Sequence, residues 1–153
     1  MEKYLHIYKI LILGALCMLC AVLHVKAQTP ALVAVSNVSG APADMKLSEL
    51  KSVLMGEKQR WKNGDRILIA LMKTNTQLGK TTSAKVYDMT GDELNKYWLA
   101  LVFQGKAQAP KFFNSANELE DFVAQNPGAI GILDKPIADN DVKSITIDGQ
   151  KTF

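Results

Sequence analysis

The chain has 153 residues, 48% hydrophobic and 22% charged, with a formal net charge of +3. Both histidines (His6, His24) and both cysteines (Cys17, Cys20) fall within the first 27 residues, so if that segment is removed, no imidazole, thiol or disulfide chemistry remains. Its removal also takes three lysines and one glutamate and leaves +1, which excludes the basic footprint of a nucleic-acid binder.

Lys3 and Lys9 accompany an apolar run, Ile10 to Leu23, and Val25-Lys26-Ala27 offers small residues where a signal peptidase reads. Residues 1–27 are read as a signal peptide cleaved after Ala27, and residues 28–153 as one domain of periplasmic or secreted location. The run is about 14 residues where a spanning helix needs roughly 20, so a membrane span is not expected and a retained anchor is the alternative. Neither cysteine follows the small residues of a lipid-attachment site, since Leu16 precedes Cys17 and Met18-Leu19 precedes Cys20.

Ala31 to Ser36 is an apolar, partly β-branched run that stops at Asn37-Val38-Ser39-Gly40, which predicts a buried strand entering a polar loop. Ser48 is placed to cap a short helix with Leu50, Val53 and Leu54 on one face and Gly56 at its end. Turn residues Trp61 to Asp65 lead into Arg66 to Met72, whose length and isoleucine content favour an inner strand. A weaker helical pattern covers Leu78 to Tyr87 after the polar loop Lys73-Thr74-Asn75-Thr76-Gln77. Thr90…Glu93 and Ser115…Glu118 each match a reciprocal capping box, and apolar residues then recur at helical spacing to Gly105 and to Asn126 respectively. Ala129 to Leu133 and the alternating Val142 to Ile147 read as two more strands. Strands interleave with helices, which predicts an α/β three-layer single domain.

The same order of signals resembles a known family. Leu47-Ser48-Glu49-Leu50 to Met55-Gly56-Glu57-Lys58, then Arg60-Trp61-Lys62-Asn63-Gly64, is similar to a stretch of the phosphate-type substrate-binding proteins of ABC transporters. So are Tyr97-Trp98 to Gly105-Lys106, Pro110, and Asn126-Pro127-Gly128-Ala129-Ile130-Gly131-Ile132. The resemblance implies one lobe of a type II periplasmic binding protein, because two-lobed members are about twice this length. It further implies a non-enzymatic solute-binding function in ABC transport, with phosphate or a similar small oxyanion as ligand and a membrane transporter or other envelope protein as partner. A homodimer could complete a site that one lobe leaves open; no metal or cofactor is implied.

Two loops are the candidate ligand contacts. The family's Arg-x-x-Gly-Ser-Gly-Thr segment, which follows a strand, corresponds here to Lys73-Thr74-Asn75-Thr76 and onward, with Lys73 in place of the arginine and no Gly-Ser-Gly-Thr. Its Gly-Ser-Thr-like loop after the first strand is echoed by Ser36, Asn37, Ser39 and Gly40. These departures keep open an alternative: a non-catalytic envelope interaction module on the same fold whose ligand site has lapsed. Physically, Gly79-Lys80-Thr81-Thr82 at a helix start can hold an anion, with Lys73 or Lys80 supplying charge. It approaches a nucleotide phosphate loop, but Thr74 stands where the first glycine belongs.

Other motifs have plainer readings. Ser48-Glu49-Leu50-Lys51 has the spacing of serine acyl enzymes without their companion motifs, so Ser48 reads as a helix cap and Lys51 as solvent-facing. Asp139-Asn140-Asp141 lacks the glycine and distal glutamate of a calcium loop and reads as a turn. Trp61, between Arg60 and Lys62, reads as a packing anchor, and Trp98 as core.

Overall fold

The structure, a computed structural model, describes residues 31–153; the expected signal peptide and its cleavage after Ala27 lie outside the described residues. Within them the strands are β1 (Val33–Asn37), β2 (Asp44–Met45), β3 (Leu68–Met72), β4 (Lys111–Phe113), β5 (Ala129–Leu133) and β6 (Val142–Ile147). The helices are α1 (Leu47–Leu54), α2 (Gln77–Tyr87), α3 (Gly91–Phe103) and α4 (Ala116–Gln125). The apolar runs read from sequence as strands became β1, β3, β5 and β6. The short strands β2 and β4 were not expected, because two or three residues carry no periodicity.

All six strands form one sheet in the order β2-β6-β1-β5-β3-β4. β3 runs parallel to β4 and β5, and β2 parallel to β6, whereas β1 is antiparallel to both its neighbours. The connection from β3 to β4 passes through α2 and α3, and the one from β4 back past β3 to β5 passes through α4. The two crossovers move in opposite directions, and right-handed crossovers then place their helices on opposite faces. This is the expected three-layer α/β domain. α4 packs against β1, β3 and β5, while α1, α2 and α3 are tied together: the Tyr87 hydroxyl donates to the Leu54 carbonyl at 2.9 Å and the Tyr97 hydroxyl to the Met55 carbonyl at 2.8 Å. Both oxygens are at the C-terminus of α1, where helix carbonyls lack intrahelical donors.

Cap readings met three outcomes. The Thr90 box is complete, with the Thr90 side chain accepting from the Glu93 N–H and the Glu93 carboxylate accepting from the Thr90 N–H. At α4 only half formed: Ser115 accepts from the Glu118 N–H, but the Glu118 carboxylate takes the Asn114 N–H one residue further back. Ser48 is not a cap. α1 starts at Leu47 after Lys46, which offers no side-chain cap, and the Asp148 carboxylate from the turn after β6 accepts the Leu47 N–H at 3.4 Å. Lys51, expected to face water, pairs with Asp88 at 2.6 Å.

Core residues come from every layer: Val35, Leu50, Leu54, Leu71, Leu94, Leu119, Ile130, Leu133 and Ile145 are at most 2% exposed. One cluster ties the distant resembling segments together. The Trp61 indole N–H donates to the Gly128 carbonyl at 2.9 Å, and Trp61 is 4% exposed, so it is the anchor its sequence context implied. Gly40 packs against the same turn; a Cβ there would come within 2.7 Å of the Gly128 backbone nitrogen. Glycine is needed at position 40 for that backbone approach.

Candidate functional site

The two candidate loops do not meet. Register pairs Ser36 with Ile130 across β1 and β5, and Ile69 with the same Ile130 across β3 and β5. Because β1 runs against β3, the segment Ser36–Gly40 leaves the sheet at the end where β3 begins, while Lys73–Thr76 leaves at the end where β3 finishes. At about 3.3 Å of rise per residue, the four residues from Ile69 to Lys73 alone separate the loops by about 13 Å along the strand. An oxyanion held between them, as the resemblance had implied, has no common face to sit on.

Ser36–Gly40 is also occupied with structure. Asn37 is 4% exposed; its amide nitrogen donates to the Val123 carbonyl at 3.2 Å and the Ala124 carbonyl at 2.7 Å, and its side-chain oxygen accepts the Ser39 N–H at 2.9 Å. Asn37 is therefore a cap for the C-terminus of α4, supplied from across the sheet. Ser36 is fully buried and its hydroxyl donates to the Asn37 carbonyl. The Lys143 ammonium donates to the Val38 carbonyl on the same loop.

Lys73–Thr76 sits at the carboxyl end of β3, the edge at which open α/β sheets hold their ligands. The Lys73 N–H is fixed by the Phe113 carbonyl of β4 at 2.9 Å, and the Lys73 side chain is exposed. The Lys73 carbonyl accepts both the Thr76 N–H (2.9 Å) and the Thr76 hydroxyl (2.8 Å). The Thr76 hydroxyl oxygen in turn accepts the Gly79 N–H at 3.0 Å, so Thr76 is the N-cap of α2. A Cβ at Gly79 would collide with the Lys73 carbonyl; this glycine seats α2 on the end of β3 and does not wrap a phosphate. Among the described residues, no hydrogen bond engages the N–H groups of Gln77 and Leu78, the two free donors in the first turn.

Thr74 faces sideways to α3: its hydroxyl oxygen accepts from the Asn95 side-chain amide at 3.1 Å. Asn95 was missed in the sequence because it lies on the polar face of a well-capped helix, with nothing to distinguish it from a solvated residue. Asn75 is exposed and Lys80 flanks the same helix start. Near α3's start, the Glu93 carboxylate is held below its usual range by the Thr90 N–H and hydroxyl, so it stays charged and committed to its cap. The edge thus offers two oriented N–H donors, a helix dipole and exposed ammonium groups, a set that favours an anion.

The remaining motifs have structural roles. The Asp139 carboxylate accepts the Asp141 N–H at 2.8 Å within a turn. A second carboxylate, unnoticed in the sequence, holds that turn: Glu120 on α4, 3% exposed, accepts the Ala138 and Asp139 N–H groups and pairs with Lys135. Burial raises its affinity for a proton, but those three donors outweigh burial and keep the carboxyl below its ordinary value.

No family model and no curated protein matches the sequence. Solved structures match its fold. An ABC-type phosphate transport receptor from Vibrio cholerae aligns with a TM-score of 0.59 at 16% identity, over 80% of this chain and 48% of that one. PstS from Borrelia burgdorferi gives 0.57 at 18% identity, over 78% and 48%. A protein from Clostridium perfringens, described as a phosphate ABC transporter substrate-binding protein and solved with phosphate bound, gives 0.58 at 14% identity, over 78% and 46%. The chain spans about half the length of these structures. Its fold is that of one lobe of the phosphate-type substrate-binding proteins of ABC transporters.

Proposed function

We propose that this chain is an exported, non-enzymatic solute-binding domain that holds a small oxyanion, phosphate or one of like shape, at the start of α2, and that it serves an ABC transporter. The observation carrying this reading is the pair of free N–H donors at Gln77 and Leu78, seated at the carboxyl end of β3 beside Lys73. The fold shared with phosphate receptors supports it. Of the candidate contacts, Lys73, Thr74, Asn75 and Thr76 border this site. Ser36, Asn37, Ser39 and Gly40 serve the scaffold.

One lobe leaves the site open to water, and its charged donors, Lys73 and Lys80, are flexible ammonium groups rather than a bidentate guanidinium. Binding by the lone chain is therefore weak, and a second chain that covered the carboxyl edge would tighten it. The test is calorimetric titration of the purified protein with phosphate, sulfate and a neutral sugar, repeated on Lys73→Ala. Saturable heat with the two anions, absent for the sugar and reduced at least fivefold in affinity by the variant, supports the reading. Silence across the panel refutes it and favours a second reading, an envelope interaction module with a lapsed site; the observation behind that reading is the missing Gly-Ser-Gly-Thr between Lys73 and Lys80.

A further inference from the structure

A cleft of about 530 Å³ opens at the other end of β3 from the proposed anion site, a size within the roughly 300–1,000 Å³ of small-molecule sites. Ile67, Ile69, Val102 and Phe122 give it apolar walls, and its lining carries Lys58, Arg66 and Lys111 but no acidic side chain. Two of these cations are engaged: Lys58 pairs with Glu49 at 2.7 Å, and the Lys111 ammonium lies 5.3 Å from the centre of the Phe122 ring. Arg66 is different. Of the chain's two arginines, Arg60 donates to the Gly64 carbonyl at 2.8 Å, whereas among the described residues no hydrogen bond or ion pair holds the Arg66 guanidinium. A backbone donor is also left over. The Leu68 N–H bonds the Gly128 carbonyl on the β5 side, so the Ile69 N–H turns to the other side, as does the Lys73 N–H that meets the Phe113 carbonyl of β4. β4 pairs with β3 only from Ala70 onward, and among the described residues no carbonyl accepts the Ile69 N–H. Ile69 is 8% exposed, and buried N–H groups without a partner are rare.

We propose that this cleft is a second ligand site, for a monocarboxylate with an apolar body such as an aryl-alkanoic acid. The guanidinium fork of Arg66 and the Ile69 N–H are the donors that the two carboxylate oxygens accept, and Lys111 adds charge beside them. The ring lies against Val102 and Phe122, where it covers apolar surface. Charge decides the class. With Glu49 neutralising Lys58, the cleft keeps two unbalanced positive charges and no carboxylate of its own, so a cation is repelled and a neutral ligand gains nothing from the guanidinium. Its apolar walls oppose a small hydrated dianion such as phosphate, which has no apolar surface to bury. A cavity of about 150 Å³ admits benzene, so this cleft takes a ring together with a short acid chain. It shares no residue with the anion site at the start of α2, and either reading can fail without the other.

Amide NMR spectra of the purified protein, titrated with hydrocinnamate, its neutral amide, acetate and phosphate, test this, with Arg66→Gln, Arg66→Lys and Lys151→Gln alongside. Arg66 is exposed, so its variants should keep the wild-type urea midpoint. Lys151 is exposed and follows β6, which β1 and β5 separate from β3, so Lys151→Gln removes the same charge away from the cleft. For a ligand of about 11 non-hydrogen atoms the expected Kd is on the order of 1 mM. Hydrocinnamate should give saturable shifts at Ile69, Val102 and Phe122, whereas the amide and acetate should not saturate by about 10 mM. Affinity should fall at least about fivefold in Arg66→Gln and less in Arg66→Lys, which keeps the charge without the fork. Lys151→Gln should match wild type, and phosphate should leave the cleft signals in place whatever it does at Gln77 and Leu78. Hydrocinnamate that fails to saturate by about 10 mM, equal binding of the neutral amide, or unchanged affinity in Arg66→Gln overturns the proposal. Hydrocinnamate shifts confined to Gln77 and Leu78 also overturn it, since the acid then occupies the anion site.

Discussion

Replacing Asn37 with alanine separates a ligand contact from a structural cap. The substitution deletes three hydrogen bonds: two donated to the Val123 and Ala124 carbonyls and one accepted from the Ser39 N–H. The Val123 carbonyl keeps the Asn126 N–H at 3.4 Å, so Ala124 loses its donor outright. A net value of about 1 kcal/mol per bond, with one carbonyl stranded in a part-buried setting, gives a loss of about 3 kcal/mol. Because Asn37 joins the β1 loop to α4 across the sheet, the loss appears as global destabilisation rather than local fraying. For a domain of this size it corresponds to a fall in Tm of about 10 °C. Urea unfolding followed by tryptophan fluorescence measures it, with Trp61 and Trp98 both buried as reporters. The slope with urea should stay unchanged while the midpoint falls. Anion affinity, measured below the transition, should match wild type. Stability within about 0.5 kcal/mol of wild type together with lost anion binding would refute the reasoning and return Asn37 to the ligand.

Glu120→Gln should cost about 2 kcal/mol at neutral pH, because Lys135 loses its partner and two N–H groups face a weaker acceptor. Since the folded carboxyl lies below its unfolded value, its stabilisation is present above pH of about 4.3 and is lost as pH falls through the folded value. Urea midpoints from pH 7 to pH 3 should therefore drop more steeply for wild type than for the variant, and parallel curves would count against the pairing. Trp61→Phe keeps one aromatic ring but deletes the pyrrole half of the indole together with the bond to the Gly128 carbonyl; a loss of about 2 kcal/mol or more in the same assay is expected, from the lost bond and the space left behind. An unchanged midpoint would show that the indole N–H contributes nothing. Gly79→Ala forces α2 away from the Lys73 carbonyl and should cost about 2–3 kcal/mol, with anion binding lost as the first-turn donors shift. Full anion affinity in this variant would move the site off α2.

The elements most legible in the sequence were those with a local cause. β5 and β6 carry the residues read for them, because Ala129 to Leu133 is unbroken apolar surface between turn residues and Val142 to Ile147 alternates to a clear stop. α3 was marked by its capping box and by Leu94, Tyr97, Trp98 and Leu101 at helical spacing. The Ser48 reading failed because the acceptor at that helix start comes from Asp148, a hundred residues along the chain. Its neighbour Lys51 found Asp88 for the same reason. Glu120 was invisible because an acid on an amphipathic helix looks solvated until the chain that covers it is in place.

Local composition and spacing determined the element types and the three-layer class, since hydrophobic period, caps and turn residues act within a few residues of one another. Strand direction is different in kind. A five-residue apolar run has the same pattern read either way, and β1 became the strand antiparallel to both neighbours only through its pairing with β5 and β6. That one reversal put Ser36–Gly40 and Lys73–Thr76 at opposite ends of the sheet. It gave Asn37 to the scaffold and left the start of α2 as the place proposed for the site, a division set by long-range hydrogen-bond register.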